Sequence, residues 1–278
     1  MTDSRQAPPE GGLPLPIAGD TRVYAIVGDP IGQVGSPRVF NTLFRECGVR
    51  AVLVPLHVAA AELDAAVRGF SRAQNVDGIV VTVPHKMAAA ALCDRLGDAA
   101  SRIGAVNAIR READGLLLGD NFDGKGCIIG LSRAGHTVEG RRTLIVGAGG
   151  AGAAVAHAFA DAGATPITIF DVDGDRARAL ARSVSAARPG AMATTGPPDP
   201  AGHDIVVNCT PVGMKADDPY PVDPDRLSPD ALVVDVILKP RISPLLEAAA
   251  ARGCRTQPGH LMLEGQAEAV AQFFGVEA

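Results

Sequence analysis

Basic residues are in deficit: 26 Lys and Arg stand against 31 Asp and Glu, a formal net charge of −5. No electropositive surface for nucleic acid is therefore expected. Cysteine is sparse. Cys47, Cys93, Cys127, Cys209 and Cys254 are odd in number, widely spaced and never paired as Cys-x-x-Cys, which fits reduced, buried thiols in a cytoplasmic protein rather than a disulfide framework. The six histidines are scattered and form no His-Glu-x-x-His pattern, so no metal site is expected. No Gly-x-Ser-x-Gly elbow supports a serine hydrolase. Every alanine-rich apolar stretch is broken by Asp, Arg, Glu or Gly before it reaches membrane-spanning length, and no membrane partner is expected. Residues 1–20 are rich in Pro and Gly and lack the basic start and apolar core of a secretory signal; they read as a flexible tail.

What is present is an ordinary apolar fraction, 47%, with 21% charged residues, enough for a sizeable core. A length of 278 residues exceeds that of most single domains, so two are expected. Directly behind the apolar run Thr143-Leu144-Ile145-Val146 stands Gly147-Ala148-Gly149-Gly150-Ala151-Gly152. A helix over 153–162 and a strand over 165–170 follow, and Asp171 closes that strand. This is a dinucleotide-binding fingerprint in its proper context: glycines tighten the turn and let the main chain approach a pyrophosphate, the helix start receives the phosphates, and the carboxylate addresses a ribose diol.

The front of the chain alternates short β-rich runs, at 22–27, 51–56, 79–83, 106–110 and 115–118, with helical patterns at 60–70 and 86–96 and a helix opening at Ser36-Pro37, where Ser36 reads as the N-cap. A further helix starts at Gly124, strands follow at 205–207 and 232–234, and a last helix covers 263–274. The fold class is α/β: a mainly parallel N-terminal substrate domain, residues 21–122 plus 259–278, and a Rossmann-type doubly wound dinucleotide-binding domain, residues 123–258. Ligands collect at the carboxyl ends of parallel strands, which singles out Thr82 with Lys86, Asn107 and the stretch Asp120 to Asp123. Lys86 projects as a proton carrier or stands solvated in a first helical turn; Asp123 is a reacting carboxylate or an N-cap; His85 is a base or a packing residue.

Gly28-Asp29-Pro30-Ile31, Ser36-Pro37, Asn41, Val81-Thr82-Val83-Pro84-His85-Lys86, Gly104-Ala105-Val106-Asn107, Asn121-Phe122-Asp123-Gly124, Asn208 to Met214 and Gly259-His260-Leu261-Met262-Leu263 with Gln266 together resemble the shikimate dehydrogenase family, from about Tyr24 to the C-terminus. The resemblance implies hydride exchange between a cyclic, shikimate- or quinate-like alcohol and a nicotinamide, with Lys86 and Asp123 as the catalytic pair. It implies Ser36, Thr82, Asn107 and Gln266 as substrate contacts. Gly147, Gly149, Gly150, Ala151, Gly152, Asp171, Thr210, Val236 and Gly259 are the cofactor contacts it implies. The last helix would return to the first domain. The charge of Asp171-Val172-Asp173 favours NAD over NADP, since a carboxylate repels a 2′-phosphate, although Arg176 and Arg178 lie close downstream.

The chain departs from the family where polar residues give way to Val34, Val80, Phe122 and Leu238. The pocket then takes a less polar or differently substituted ring, or Gln33, Arg38 or Lys239 compensate and the enzyme is a true shikimate or quinate dehydrogenase. A third alternative is a non-catalytic NAD-binding sensor. A homodimer is compatible with each of these.

Overall fold

The computed structural model describes residues 16–215 and 217–276. The expected tail lies outside the described residues up to position 15. Near its end Ala18 N donates to Thr21 Oγ1 at 2.9 Å, and Asp20 pairs with Arg50 at 2.6 Å.

The first half runs β1 (Arg22–Gly28), α1 (Ser36–Glu46), β2 (Ala51–His57), α2 (Leu63–Ser71), β3 (Val76–Val81), α3 (Lys86–Ala90), β4 (Arg95–Leu96), α4 (Asp98–Ile103), β5 (Ala108–Arg111) and β6 (Leu117–Asp120). Its strands form one sheet in the order β2-β1-β3-β5-β6-β4. The β2-β1-β3 part is parallel, whereas β5 runs antiparallel to both β3 and β6. Tyr24, Ile26 and Val80 face Phe40 and Phe44 of α1; Val27, Ile79 and Val81 face Leu63 and Val67 of α2. Neighbouring residues of one strand are thus buried on opposite faces, which is why these strands read as unbroken apolar runs.

The second half runs α5 (Asp123–Arg133), β7 (Thr143–Val146), α6 (Gly150–Asp161), β8 (Ile167–Phe170), α7 (Gly174–Ala187), β9 (Ala193–Thr195), β10 (Ile205–Asn208), β11 (Leu232–Asp235), α8 (Pro244–Ala251), β12 (Arg255–Pro258) and α9 (Gly259–Phe273). Its sheet, β12-β11-β10-β7-β8-β9, is parallel throughout. Ile145, Ile167, Ile169 and Val207 bury one face against Val155 and Phe159 of α6. Leu144, Val146, Val206 and Val233 bury the other against Leu245 and Leu246 of α8.

Two expectations are corrected, and one helix is added. Ser36 is the first residue of α1, not its cap: Gly35 occupies the cap position, with no side-chain hydrogen bond. The helix expected over 86–96 stops at Ala90, because Asp94 N donates to Leu117 O and Asp94 Oδ2 accepts from Leu117 N, which draws Arg95 and Leu96 into the sheet. Pairing with β6 overrides the helical pattern there. Unexpected from the pattern, α7 nevertheless carries the usual signals: Asp173 caps it by accepting from Asp175 N and Arg176 N, and Ala177, Leu180, Ala181 and Val184 form its buried stripe.

Helix α9, which packs Ala267, Val270 and Ala271 against the core of the first sheet, meets α5 with almost no side chain between them. A Cβ on Gly126 would lie 2.6 Å from Met262 O and from Gln266 Cβ, and one on Gly130 would lie 2.7 Å from Leu261 O. One on Gly265 would strike Gly126 O. Only hydrogen fits at these three places.

The starts of the two central strands of the second sheet, β7 and β10, are tied by Arg142, whose Nη2 donates to Asp204 Oδ1 at 2.9 Å and whose main-chain N donates to Oδ2, also at 2.9 Å. The hydrogen bond from Arg142 holds the Asp204 carboxyl down at about 2, below the ordinary 3.8. Its contribution is present above the unfolded value and is lost as pH falls through the folded one. We expect Asp204→Asn to lower unfolding stability by about 1 kcal/mol at neutral pH, after solvent screening. In denaturant titrations the gap from wild type should close as pH falls from 3.8 toward about 2; a gap that stays constant would show that the charge is not its source.

Candidate active site

Strand β3 ends at Val81, and a short turn delivers Lys86 to the first position of α3. Asp123 opens α5 in the same way, with its main-chain N donating to Asn121 Oδ1 at 3.0 Å. The turns bring residues 37 apart in sequence together: Lys86 Nζ donates to Asp123 Oδ2 at 2.5 Å. The lysine side chain is 14% exposed and the aspartate side chain 3%. Asp123 thus spends its carboxylate on Lys86 and on Asn107 Nδ2, 3.0 Å from Oδ1, and not on capping its own helix. Asn107 Nδ2 also donates to Gln266 Oε1 at 2.9 Å, and Asn107 Oδ1 accepts from Phe122 N at 2.9 Å. Lys86, Asp123, Asn107 and Gln266 therefore form one continuous polar chain supplied by α3, α5, the start of β5 and α9.

That chain lines a cavity of about 130 Å³ in which Ser36 and Thr82 also stand, bordered on the side of the second half by Ala151, Val236 and Gly259. Each substrate contact implied by the resemblance thus reaches one place. Val34, Val80 and Leu238 line it too, with Ile26, Met262 and Leu263. Phe122 does not. It packs against Phe273 at 5.3 Å between ring centroids and borders a separate groove of about 570 Å³ between α4, α5 and α6, away from the ion pair. His85 is buried with Nε2 2.7 Å from Val58 O, a packing role that leaves no base at that position. Burial pushes the Cys127 thiol up to about 12 and raises Cys209 well above its ordinary value, so neither offers a thiolate beside the pair.

The glycine loop shows what a bound dinucleotide needs. Gly147 has φ +103, and a Cβ on it would meet Thr210 at 2.9 Å; a Cβ on Gly152 would fall on the Gly147 carbonyl oxygen. Gly149, the cap of α6, carries no side-chain hydrogen bond and has nothing within 4 Å of where its Cβ would be. The start of α6 is thus open main chain, as a pyrophosphate requires. Gly259 serves packing as well, since a Cβ there would lie 2.5 Å from Ile237 O. Behind the loop, Thr210 Oγ1 donates to Asn208 Oδ1 at 2.7 Å, and Asn208 Nδ2 donates to Asp235, which also accepts from Ser243 Oγ at 2.6 Å. Burial raises the Asp235 carboxyl above its ordinary value. From residue order alone Asp235 is no more than an acidic residue at a strand end.

Asp171 has a structural task in the loop. Its Oδ2 accepts from Ala148 N at 2.6 Å and its Oδ1 from Asp173 N at 2.8 Å, so the carboxylate is spent on holding the glycine loop. We expect Asp171→Ala to weaken dinucleotide binding about tenfold, for phosphorylated and unphosphorylated forms alike, because an amide bond worth roughly 1–3 kcal/mol is lost from the loop. Cofactor titration of the variant checks it; a change confined to one form would mean that the carboxylate acts on the ribose. Among the described residues no helix is long and apolar enough to cross a membrane, and no group of three or more His, Cys, Asp or Glu is gathered to hold a metal ion.

A family model described as shikimate dehydrogenase substrate binding domain matches residues 26–109. The chain is 40% identical over 266 residues to the shikimate dehydrogenase (NADP(+)) of Rubrobacter xylanophilus, covering 94% of this chain and 93% of that one. It superposes with a TM-score of 0.87 on a shikimate dehydrogenase in complex with NADP+, 32% identical and covering 96% and 94% of the two chains. On the 5-ketofructose reductase of Gluconobacter sp. strain CHM43 the TM-score is 0.78, with 29% identity and 91% and 92% coverage. The expectation of NAD over NADP is corrected by these relatives, several of which carry NADP(+) in their names. The charge argument weighed the carboxylates of Asp171 and Asp173 and discounted Arg176 and Arg178, which α7 places just beyond them, Arg176 Nε 3.3 Å from Asp173.

Proposed function

The chain belongs to the shikimate dehydrogenase family, and from that premise we propose that it is an NADP-linked oxidoreductase interconverting a cyclic secondary alcohol and its ketone. The observation that carries the proposal is the 2.5 Å Lys86–Asp123 pair inside a cavity bordered by Ala151 and Val236 of the dinucleotide half. When bound, the nicotinamide supplies the hydride acceptor or donor. In oxidation the neutral amine of Lys86 takes the carbinol proton and becomes the ammonium; in reduction the ammonium returns a proton to the carbonyl oxygen. Asp123 orients the ammonium and compensates its charge, and Asn107 fixes both Asp123 and Gln266. Ser36, Thr82 and Gln266 hold the remaining hydroxyls.

Residues 21–122 with 259–278 serve as the substrate-holding unit, and residues 123–258 as the dinucleotide-holding unit. Gly147, Gly149, Gly150 and Gly152 let the main chain approach the pyrophosphate, Thr210, Val236 and Gly259 flank the nicotinamide, and Asp171 holds the loop closed from behind. Arg176 and Arg178, on the helix that follows Asp173, supply positive charge for the additional phosphate.

Initial rates of NADP+ reduction by the purified protein with shikimate, quinate and neutral cyclic diols test the proposal. Turnover with at least one of them is expected. No reduction across that panel, with NADP+ still bound in calorimetry, would replace it by the non-catalytic sensor.

A further inference from the structure

The cavity lining is of two kinds. Polar groups come from the chain of Lys86, Asp123, Asn107 and Gln266 and from the hydroxyls of Ser36 and Thr82; the rest is mostly apolar, including Ile26, Val34, Val80, Leu238, Met262 and Leu263. Lys86 is the one cation among the described residues that line it, and its charge is already matched by Asp123. The start of α1, where Val34 and Ser36 border the cavity, offers little to an anion: Pro37 has no N–H, and the amides of Arg38 and Val39 both turn to Gly35 O. The residues that could compensate point elsewhere. Gln33 Nε2 donates to Pro30 O at 2.5 Å, Arg38 borders an outer groove with Glu46 and Glu264, and Lys239 does not line the cavity.

A carboxylate placed against such a lining would lose its hydration without a free cation, and an ionised group is the costliest kind to leave so. A hydroxyl, a carbonyl or a C–H edge meets no such cost. We infer that the substrate is an uncharged polyol, with an uncharged hydroxyketone as its oxidised partner, and that a ring carboxylate is selected against by Val34, Val80 and Leu238. The inference rests on the proton-relay role proposed for Lys86 and Asp123. The reaction balances without a further reactant once the Lys86 ammonium has released a proton to water: the carbinol C–H gives its hydride to NADP+, the O–H gives its proton to the neutral Lys86 amine, and a C=O bond forms.

The decisive comparison keeps the ring and changes only its charge. With the full-length protein and NADP+, the methyl ester of shikimate should exceed shikimate itself in kcat/KM by at least about tenfold, the scale on which buried polar mismatches discriminate. The same ratio read as dissociation constants by calorimetry keeps the comparison decisive where turnover is slow. Equal values, or a preference for the acid, overturn the inference. The double variant Val34→Ser with Leu238→Tyr adds two hydroxyls to the apolar part of the lining and should shift the ratio at least about tenfold toward the acid; an unmoved ratio also overturns it. Lys86→Ala, run in parallel, should silence both substrates. Silence with a preference for the acid rejects the uncharged substrate and keeps the relay, whereas turnover surviving Lys86→Ala rejects the relay.

Discussion

Alanine at Lys86 is expected to lower kcat by about a thousandfold, the middle of the range that positioned proton transfer contributes, while the cofactor dissociation constant changes by no more than about twofold. The variant also strands a carboxylate whose side chain is only 3% exposed, and loss of one partner of a buried pair costs roughly 3–5 kcal/mol. Folding and chemistry must therefore be separated. The double variant Lys86→Met with Asp123→Asn removes both charges together, so it should regain most of the lost stability in thermal unfolding and still fail to turn over. If it retains more than about a tenth of the wild-type kcat, the pair is structural and the proton travels by another route.

The second large effect lies in the glycine loop. Gly152→Ala places a methyl group on the Gly147 carbonyl oxygen, where only a shift of backbone can relieve it. A loss of about 3 kcal/mol in stability and of measurable NADPH binding is expected, since overpacking against main chain has no flexible side chain to absorb it. Gly149→Ala is the contrasting case. Nothing lies within 4 Å of its Cβ, and its φ of −76 suits any residue, so the melting temperature should hold. The methyl group would instead occupy the open start of α6, and NADPH binding alone should weaken. Equal melting temperatures for the two variants would mean that the Gly147–Gly152 approach is not what closes this turn.

Much of this architecture was legible from residue order. Thr143–Val146 is the strand expected from its apolar run, and the strands at 22–27, 51–56, 205–207 and 232–234 each needed extension by a single residue. Continuous burial on two faces is a strong local signal, and the strands of the second sheet named here have it; β2, at the edge of the first sheet, is buried only at Ala51 and Leu53. What could not be read was where side chains spend their hydrogen bonds. Asp171 has the position of a ribose ligand and the geometry of a loop clasp. Phe122 stands in a motif with Asp123, yet turns away to Phe273. Lys86 and Asp123 each had an ordinary helix-start explanation, and only the resemblance joined them. Their meeting depends on β3, β5 and α5 converging, which no local pattern encodes. Arg95 and Leu96 made the opposite error, with a helical pattern defeated by a strand partner more than twenty residues away.

Because α5 and α9 touch main chain to main chain at Gly126, Gly130 and Gly265, the distance from Asp123 to Gln266 is gauged by the thickness of two backbones. Side chains can change rotamer, but peptide planes in contact cannot give way. Helix α6 is seated on α5 just as closely, since a Cβ on Gly124 would strike Ala154 O. The proposed proton relay is therefore set by the fold itself, before any ligand arrives.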